Sequence, residues 1–184
     1  MSSSRYQVIG LAGQIGSGKS SVGQGVASAL ECPLASFGDH VRRVASQRGL
    51  DHTREILQAV GEELINTLAA EEFVARVVAD SGWVRTSGLV IEGIRHPHIA
   101  ECVSTYVRPA AYSLIFLDAP RELRELRVRE RDSISPTELS GIEKHSTERD
   151  VATRIRELAD HVVPATADVQ AAVSEVLKVL VDRR

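Results

Sequence analysis

The residues best placed to do chemistry crowd into one octapeptide, Gly13-Gln-Ile-Gly-Ser-Gly-Lys-Ser20, in a chain of 184 residues. It satisfies the spacing G-x-x-x-x-G-K-[ST]. Gly13, Gly16 and Gly18 permit backbone angles that other residues avoid, so the chain can curl around an anion. The curl turns successive N–H groups inward, and a helix that follows presents its positive end. Gly13, Gly16, Ser17, Gly18, Lys19, Ser20 and Ser21 are therefore the expected contacts of a nucleotide's phosphates. Lys19 brings a mobile charge to the outer phosphates, and Ser20 offers a hydroxyl to Mg2+. A dinucleotide fold would want G-x-G-x-x-G and a ribose-binding acid further on, which this loop lacks.

Such a magnesium site usually takes a carboxylate from the end of a neighbouring strand. Glu92, straight after the apolar Leu89-Val-Ile, is the candidate; the competing reading is a strand-end acid facing solvent. Phosphoryl transfer needs two anions in line, their charge neutralised and water excluded. Arginine suits that task because its planar fork binds phosphate bidentately. Arg42 and Arg95 each follow a strand end. Arg121, Arg124, Arg127 and Arg131 recur at spacings of three, three and four, which give one helix face. Arg127 and Arg131 are candidates for contacting the transferred phosphate. Glu122, Glu125 and Glu130 are interleaved with them, so a salt-bridged solvated helix competes, with Arg121 and Glu125 as an i,i+4 pair. Arg149 and Arg154 either close over the ligand or pair with neighbouring acids.

These residues need a frame. Apolar runs predict strands at Val8–Leu11, Leu34–Phe37, Leu89–Ile91, Ser113–Leu117 and His161–Val163. Helical spacing predicts Lys19–Leu30, a helix through Val41, Val44 and Ala45 ended by Gly49, one capped by Thr53, and one through Phe73, Val74, Val77 and Val78. Pro120 opens a helix reaching about Arg131, another leads to Ala159, and the last runs from Val169 to Leu180. Short strands alternating with helices imply one α/β domain over residues 1–184, a parallel five-stranded sheet in three α/β/α layers. Residues 38–82 and 132–147 read as insertions at the ligand-binding edge, the first helical and the second lid-like.

Loop and element order together resemble the nucleoside monophosphate kinase group of P-loop proteins. "IGLAGQIGSGKSSV" is similar to the loop of dephospho-coenzyme A kinases. "SFGDHVRRVASQRGL" resembles the acceptor-binding region of adenylate-kinase-like proteins, where G-D-x-x-R opens a helix. The resemblance implies Gly38, Asp39 and Arg42 as acceptor-side residues, with Arg42 gripping the acceptor phosphate. "VIEGIRHP" is similar to the group's D-G-hydrophobic-(Pro)-Arg segment, which implies Arg95 as a second contact. "ADHVVPATADV" resembles the loop that brushes adenine. Glu92 stands where Asp is commoner, and Pro164 where Asn is common. The expectation is an ATP- and Mg2+-dependent kinase acting on a (deoxy)nucleoside monophosphate. The alternatives are dephospho-coenzyme A as acceptor, or a non-catalytic P-loop nucleotide-binding protein.

Composition narrows the classes. Net charge is −3 and aromatic residues make up 4%, which argues against a duplex-binding face and against stacking platforms for single strands. The chain contains no N-K-x-D guanine motif, and Gly93 rather than a second acid follows Glu92. Cys32 and Cys102 sit in no C-x-x-C pair and read as inert thiols of a reducing compartment. "MSSSRYQVIG" lacks a signal-peptide core, and no run approaches the ~18 apolar residues of a membrane span. The expected setting is cytoplasmic, with no nucleic-acid or membrane partner. His96 and His98 flank Pro97 without metal spacing, His145 reads as a solvated helix-end residue, and Trp83 as packing.

Overall fold

The computed structural model describes residues 7–132, 149–166 and 168–181. The proposed lid at 132–147, apart from Asp132, and His145 lie outside them. Five strands, β1 (Gln7–Ala12), β2 (Leu34–Ser36), β3 (Leu89–Glu92), β4 (Ala111–Asp118) and β5 (His161–Pro164), form one parallel sheet in the order β2-β3-β1-β4-β5. Strand residues alternate between two cores, as a side-chain period of two requires. Val8, Leu89, Ile91, Leu114 and Phe116 face one layer. Ile9, Leu11, Val90, Ile115 and Leu117 face the other.

The second layer is built by α1 (Lys19–Ala29) and the last helix, Val169–Val181, whose Val173 and Val176 meet Val22 and Val26. In the first layer, α2 (Phe37–Gln47), α3 (Arg54–Thr67) and α4 (Ala70–Asp80) occupy most of the 38–82 stretch. α4 is a layer helix: Phe73, Val74, Val77 and Val78 are buried with the sheet residues. Truncating a buried Phe such as Phe73 to Ala costs about 3–5 kcal/mol. Gly49, at φ 69°, follows α2 as its left-handed stop. Thr53 caps α3, its hydroxyl accepting from the Ile56 amide at 3.4 Å.

Residues 97–106, to which periodicity assigned no element, form α5 (Pro97–Tyr106). Proline occupies its first turn, and Ile99, Ala100 and Val103 are its buried face. α6 (Arg121–Asp132) follows β4. A π-helical stretch, Val151–Ile155, runs into the short α7 (Arg156–Leu158), and Val169–Val181 is α8. Among the described residues no helix is long and apolar enough to cross a membrane.

Candidate active site

The octapeptide leaves the carboxyl end of β1 and enters α1, with Gly18 as the helix N-cap at φ 90°. Gly16 (φ 78°) is constrained twice over: a Cβ there would lie 2.6 Å from the Arg124 carbonyl oxygen. The loop therefore rests directly on the backbone of α6. Lys19 is buried, and its ammonium donates to the carbonyls of Gly13 at 2.7 Å and Gln14 at 2.9 Å. Ser20 and Ser21 are exposed at the start of α1.

A loop whose N–H groups turn inward must find partners for the carbonyls it turns outward. Two arginines of α6 supply them. Arg124, 5% exposed, donates from Nη1 to Ile15 O at 3.4 Å and from Nε to Ala119 O at 3.3 Å. Arg127, one turn on, donates from Nη1 to Gly16 O (3.3 Å) and Ser17 O (3.2 Å). Its Nη2 reaches Thr166 O at 2.6 Å, tying the loop to the β5–α8 connection. Arg121 pairs with Glu125 at 2.7 Å, the i,i+4 contact its spacing predicts. Arg131 ends the face, and its side chain lies outside the described residues.

Glu92 is 5% exposed at the end of β3. β3 lies between β1 and β2, and Glu92 pairs with Leu11 on one side and Ser36 on the other. Its Oε2 accepts from Ser20 Oγ at 3.2 Å, and its Oε1 accepts from Ser36 Oγ. A buried carboxylate beside an exposed serine hydroxyl at a phosphate-binding loop is a hard-oxygen donor set that fits Mg2+. The solvent-facing reading of Glu92 does not hold: its side chain lies on the α1 side of the sheet, where a Cβ on Gly23 would sit 3.7 Å from its own Cβ.

Ser36 also caps α2: its Oγ accepts from the Asp39 amide at 3.1 Å. Sequence reading missed Ser36 because it extended β2 through Phe37; the signal present was Ser36-x-x-Asp39, a helix-start pattern. Gly38, Asp39 and Arg42 form the first turns of α2. Arg42 is exposed and donates to Asp39 Oδ1 at 2.8 Å. On the buried face of α2, His40 Nδ1 lies 2.7 Å from Asp80 Oδ2 at the end of α4, and Arg43 pairs with the same carboxylate. Burial, then the Arg43 and Arg76 charges, push His40 below the usual histidine pKa.

Arg95, half-buried, lies between β3 and α5 next to His96. Burial first, and then His98 and Arg95, lower the His96 pKa, while Asp150 and Glu62 oppose the shift. The π-helical stretch Val151–Ile155 packs against α5, which follows this turn. Arg154 is 3.9 Å from Asp150, and Arg156 pairs with Asp118 at 3.0 Å. Trp83 packs as expected, its Nε1 donating to Ser87 O at 3.0 Å.

A parallel sheet with a glycine-lysine loop at the end of its central strand, and a carboxylate on the adjoining strand, defines a P-loop protein of kinase-like fold. Residues 9–150 match the family model AAA_18, described as an AAA domain, and the chain belongs to that family. Over 132 residues it is 30% identical to a cytidylate kinase of Pyrobaculum calidifontis, covering 70% of this chain and 62% of that protein. Over 152 residues it is 32% identical to a cytidylate kinase of Pyrobaculum arsenaticum, covering 83% and 73%. A UPF0200 protein of Halobacterium salinarum is 30% identical over 138 residues, covering 72% and 69%. The match thus spans less than two thirds of the first of these relatives. Among solved structures, a gluconokinase from Sinorhizobium meliloti 1021 superposes with a TM-score of 0.63 at 18% identity, covering 96% of this chain and 92% of that one. A shikimate kinase from Acinetobacter baumannii does so with 0.63 at 17%, covering 98% and 96%. At such identities the likeness is one of fold.

Proposed function

We propose that the protein is a kinase that moves the γ-phosphate of ATP to a (deoxy)nucleoside monophosphate. The observation that carries this reading is the Ser20–Glu92–Ser36 chain of hydrogen bonds. It joins the phosphate-binding loop to the first turn of α2, where Gly38, Asp39 and Arg42 stand. Donor and acceptor elements are thereby held around one buried carboxylate.

In this reading the loop amides and Lys19 hold the donor phosphates. Lys19 exchanges its two carbonyl partners for phosphate oxygens, a gain because ammonium–phosphate contacts are charge-assisted. Arg124 and Arg127 keep the loop's carbonyls turned away from the anion. Arg42 and Arg95 grip the acceptor phosphate, with Arg42 leaving the exposed Asp39. Arg127, bound to the loop's carbonyls, adds positive charge near the transferred group, a role proposed for Arg131 as well. Ser20 and Glu92 would hold Mg2+, which supplies charge neutralisation on the donor phosphates when bound. Positioning and electrostatics suffice for this chemistry, which needs no covalent intermediate on the protein.

Relatives named cytidylate kinase make cytidine monophosphate the first acceptor to try. The test is ADP release with ATP and magnesium against a panel of nucleoside monophosphates and dephospho-coenzyme A. Strong turnover dependent on a monophosphate supports the reading. Turnover on dephospho-coenzyme A alone moves the acceptor, and hydrolysis indifferent to any acceptor overturns the kinase assignment.

A further inference from the structure

β2 passes into α2 with no intervening residue: Ser36 ends the strand and Phe37 begins the helix. Ser36 is also the last position of β2 in register with β3, where its partner is Glu92. The helix cap and the metal-side carboxylate are therefore forced face to face. Gly93, at φ 85°, carries the chain away from β3 over the same turn, and a Cβ on it would lie 3.6 Å from Gly38 N.

The bonding of Ser36 is directional. A hydroxyl has one proton and two lone pairs. The Asp39 amide at 3.1 Å can only donate, so it takes a lone pair. A carboxylate is an acceptor, so the Ser36 proton goes to Glu92 Oε1. The result is a polarised relay, Asp39 N–H to Ser36 O–H to Glu92, in which each bond strengthens the next. Ser20 holds the other carboxylate oxygen, but over 3.2 Å and from an exposed residue, whereas Ser36 is 8% exposed. The orientation of Glu92 is set chiefly from the acceptor-helix side.

We propose that Ser36 is a positioning residue that fixes the Glu92 carboxylate for the metal and links metal affinity to the start of α2. This rests on the reading of Glu92 as the magnesium-side carboxylate. Removing the hydroxyl frees Glu92 to turn and costs one hydrogen bond to a charged group, so metal affinity should fall on the order of tenfold. Ser36→Gly is the variant of choice, because glycine is nearly as good a helix cap as serine and keeps α2 in place.

The experiment measures Mn2+ binding by electron paramagnetic resonance, with a non-hydrolysable ATP analogue and the full chain. It also measures the magnesium concentration for half-maximal turnover. Wild type, Ser36→Gly, Glu92→Gln and the double variant form a cycle. The expected result is that each single change weakens Mn2+ binding, that the double variant is little worse than Glu92→Gln, and that Ser36→Thr returns toward wild type. A merely structural role predicts instead that the two effects add, which overturns the proposal. Glu92→Gln shifting both readouts while Ser36→Gly shifts neither also overturns it, and leaves the reading of Glu92 standing. Both single variants at wild-type values overturn that reading and the proposal with it.

Discussion

The Arg127 guanidinium bridges two loops that are far apart in sequence, donating to Gly16 O and Ser17 O from one nitrogen and to Thr166 O from the other. Arg127→Ala leaves three carbonyls to find water. Stability should fall by about 1–2 kcal/mol and ATP affinity on the order of tenfold, because both loops lose their common support. Arg127→Lys should recover little, since a point charge cannot span both loops. Calorimetric ATP titration and urea unfolding check this. An Ala variant matching wild type in both would show that the bridge carries nothing.

Lys19→Ala should abolish transfer while the fold survives. The ammonium it removes acts mostly on charge that develops in the transition state. The loop retains Arg124 and Arg127 beneath it, so its backbone should persist. Near-normal turnover, or a large loss of thermal stability, would refute this.

Arg42→Ala should raise the acceptor's KM roughly tenfold to more than a hundredfold, with ATP binding little changed. Arg42 pairs with the exposed Asp39, a contact worth about 0–1 kcal/mol. Its loss should therefore leave stability almost untouched. Separate titrations of ATP and acceptor decide: equal weakening of both ligands, or of neither, would end the division between donor and acceptor sides.

His40 and His96 both titrate below the usual histidine range. Each takes up a proton less readily folded than unfolded, so the unfolded chain binds more protons as pH falls through about 6.5. Their contribution to stability is intact above that value and is lost as pH drops toward the lower folded pKa values. The urea midpoint should be lower at about pH 5.5 than at about pH 7.5, and His96→Asn should flatten part of the slope. A midpoint constant across this window would contradict the assignment of both rings.

Much of the frame was legible because apolar runs and punctuation agree. The strands expected at Val8–Leu11, Leu89–Ile91 and Ser113–Leu117 are short, mostly apolar runs, too short for a buried helix and suited to strands covered on both faces. Gly49 and Thr53 mark helix ends by their chemistry. α5 was missed because His96, Pro97 and His98 mask a short face of Ile99, Ala100 and Val103, although proline in a first turn was a usable sign. Ser36 was lost for a related reason: local pattern extends a strand through Phe37, while register with Glu92 makes Ser36 a cap. In the site, the loop was readable because its chemistry is local. The partners of its carbonyls were not, because Arg124 and Arg127 come from a helix more than a hundred residues away. Their spacing suggested a phosphate-facing row, and the backbone of the loop claims the middle of it.

α2 is held at two places less than two turns apart. Its first turn is fixed through Ser36 to β3, and its middle through His40 and Arg43 to Asp80 on α4. A rod pinned at two such points cannot slide or swivel as a whole. Beyond Arg43 the helix stays anchored, with Ala45 fully buried and Arg48 paired with Glu63 of α3 at 2.7 Å. The helix thus serves as a fixed rail: the backbone carrying Asp39 and Arg42 is held at a set distance from Glu92.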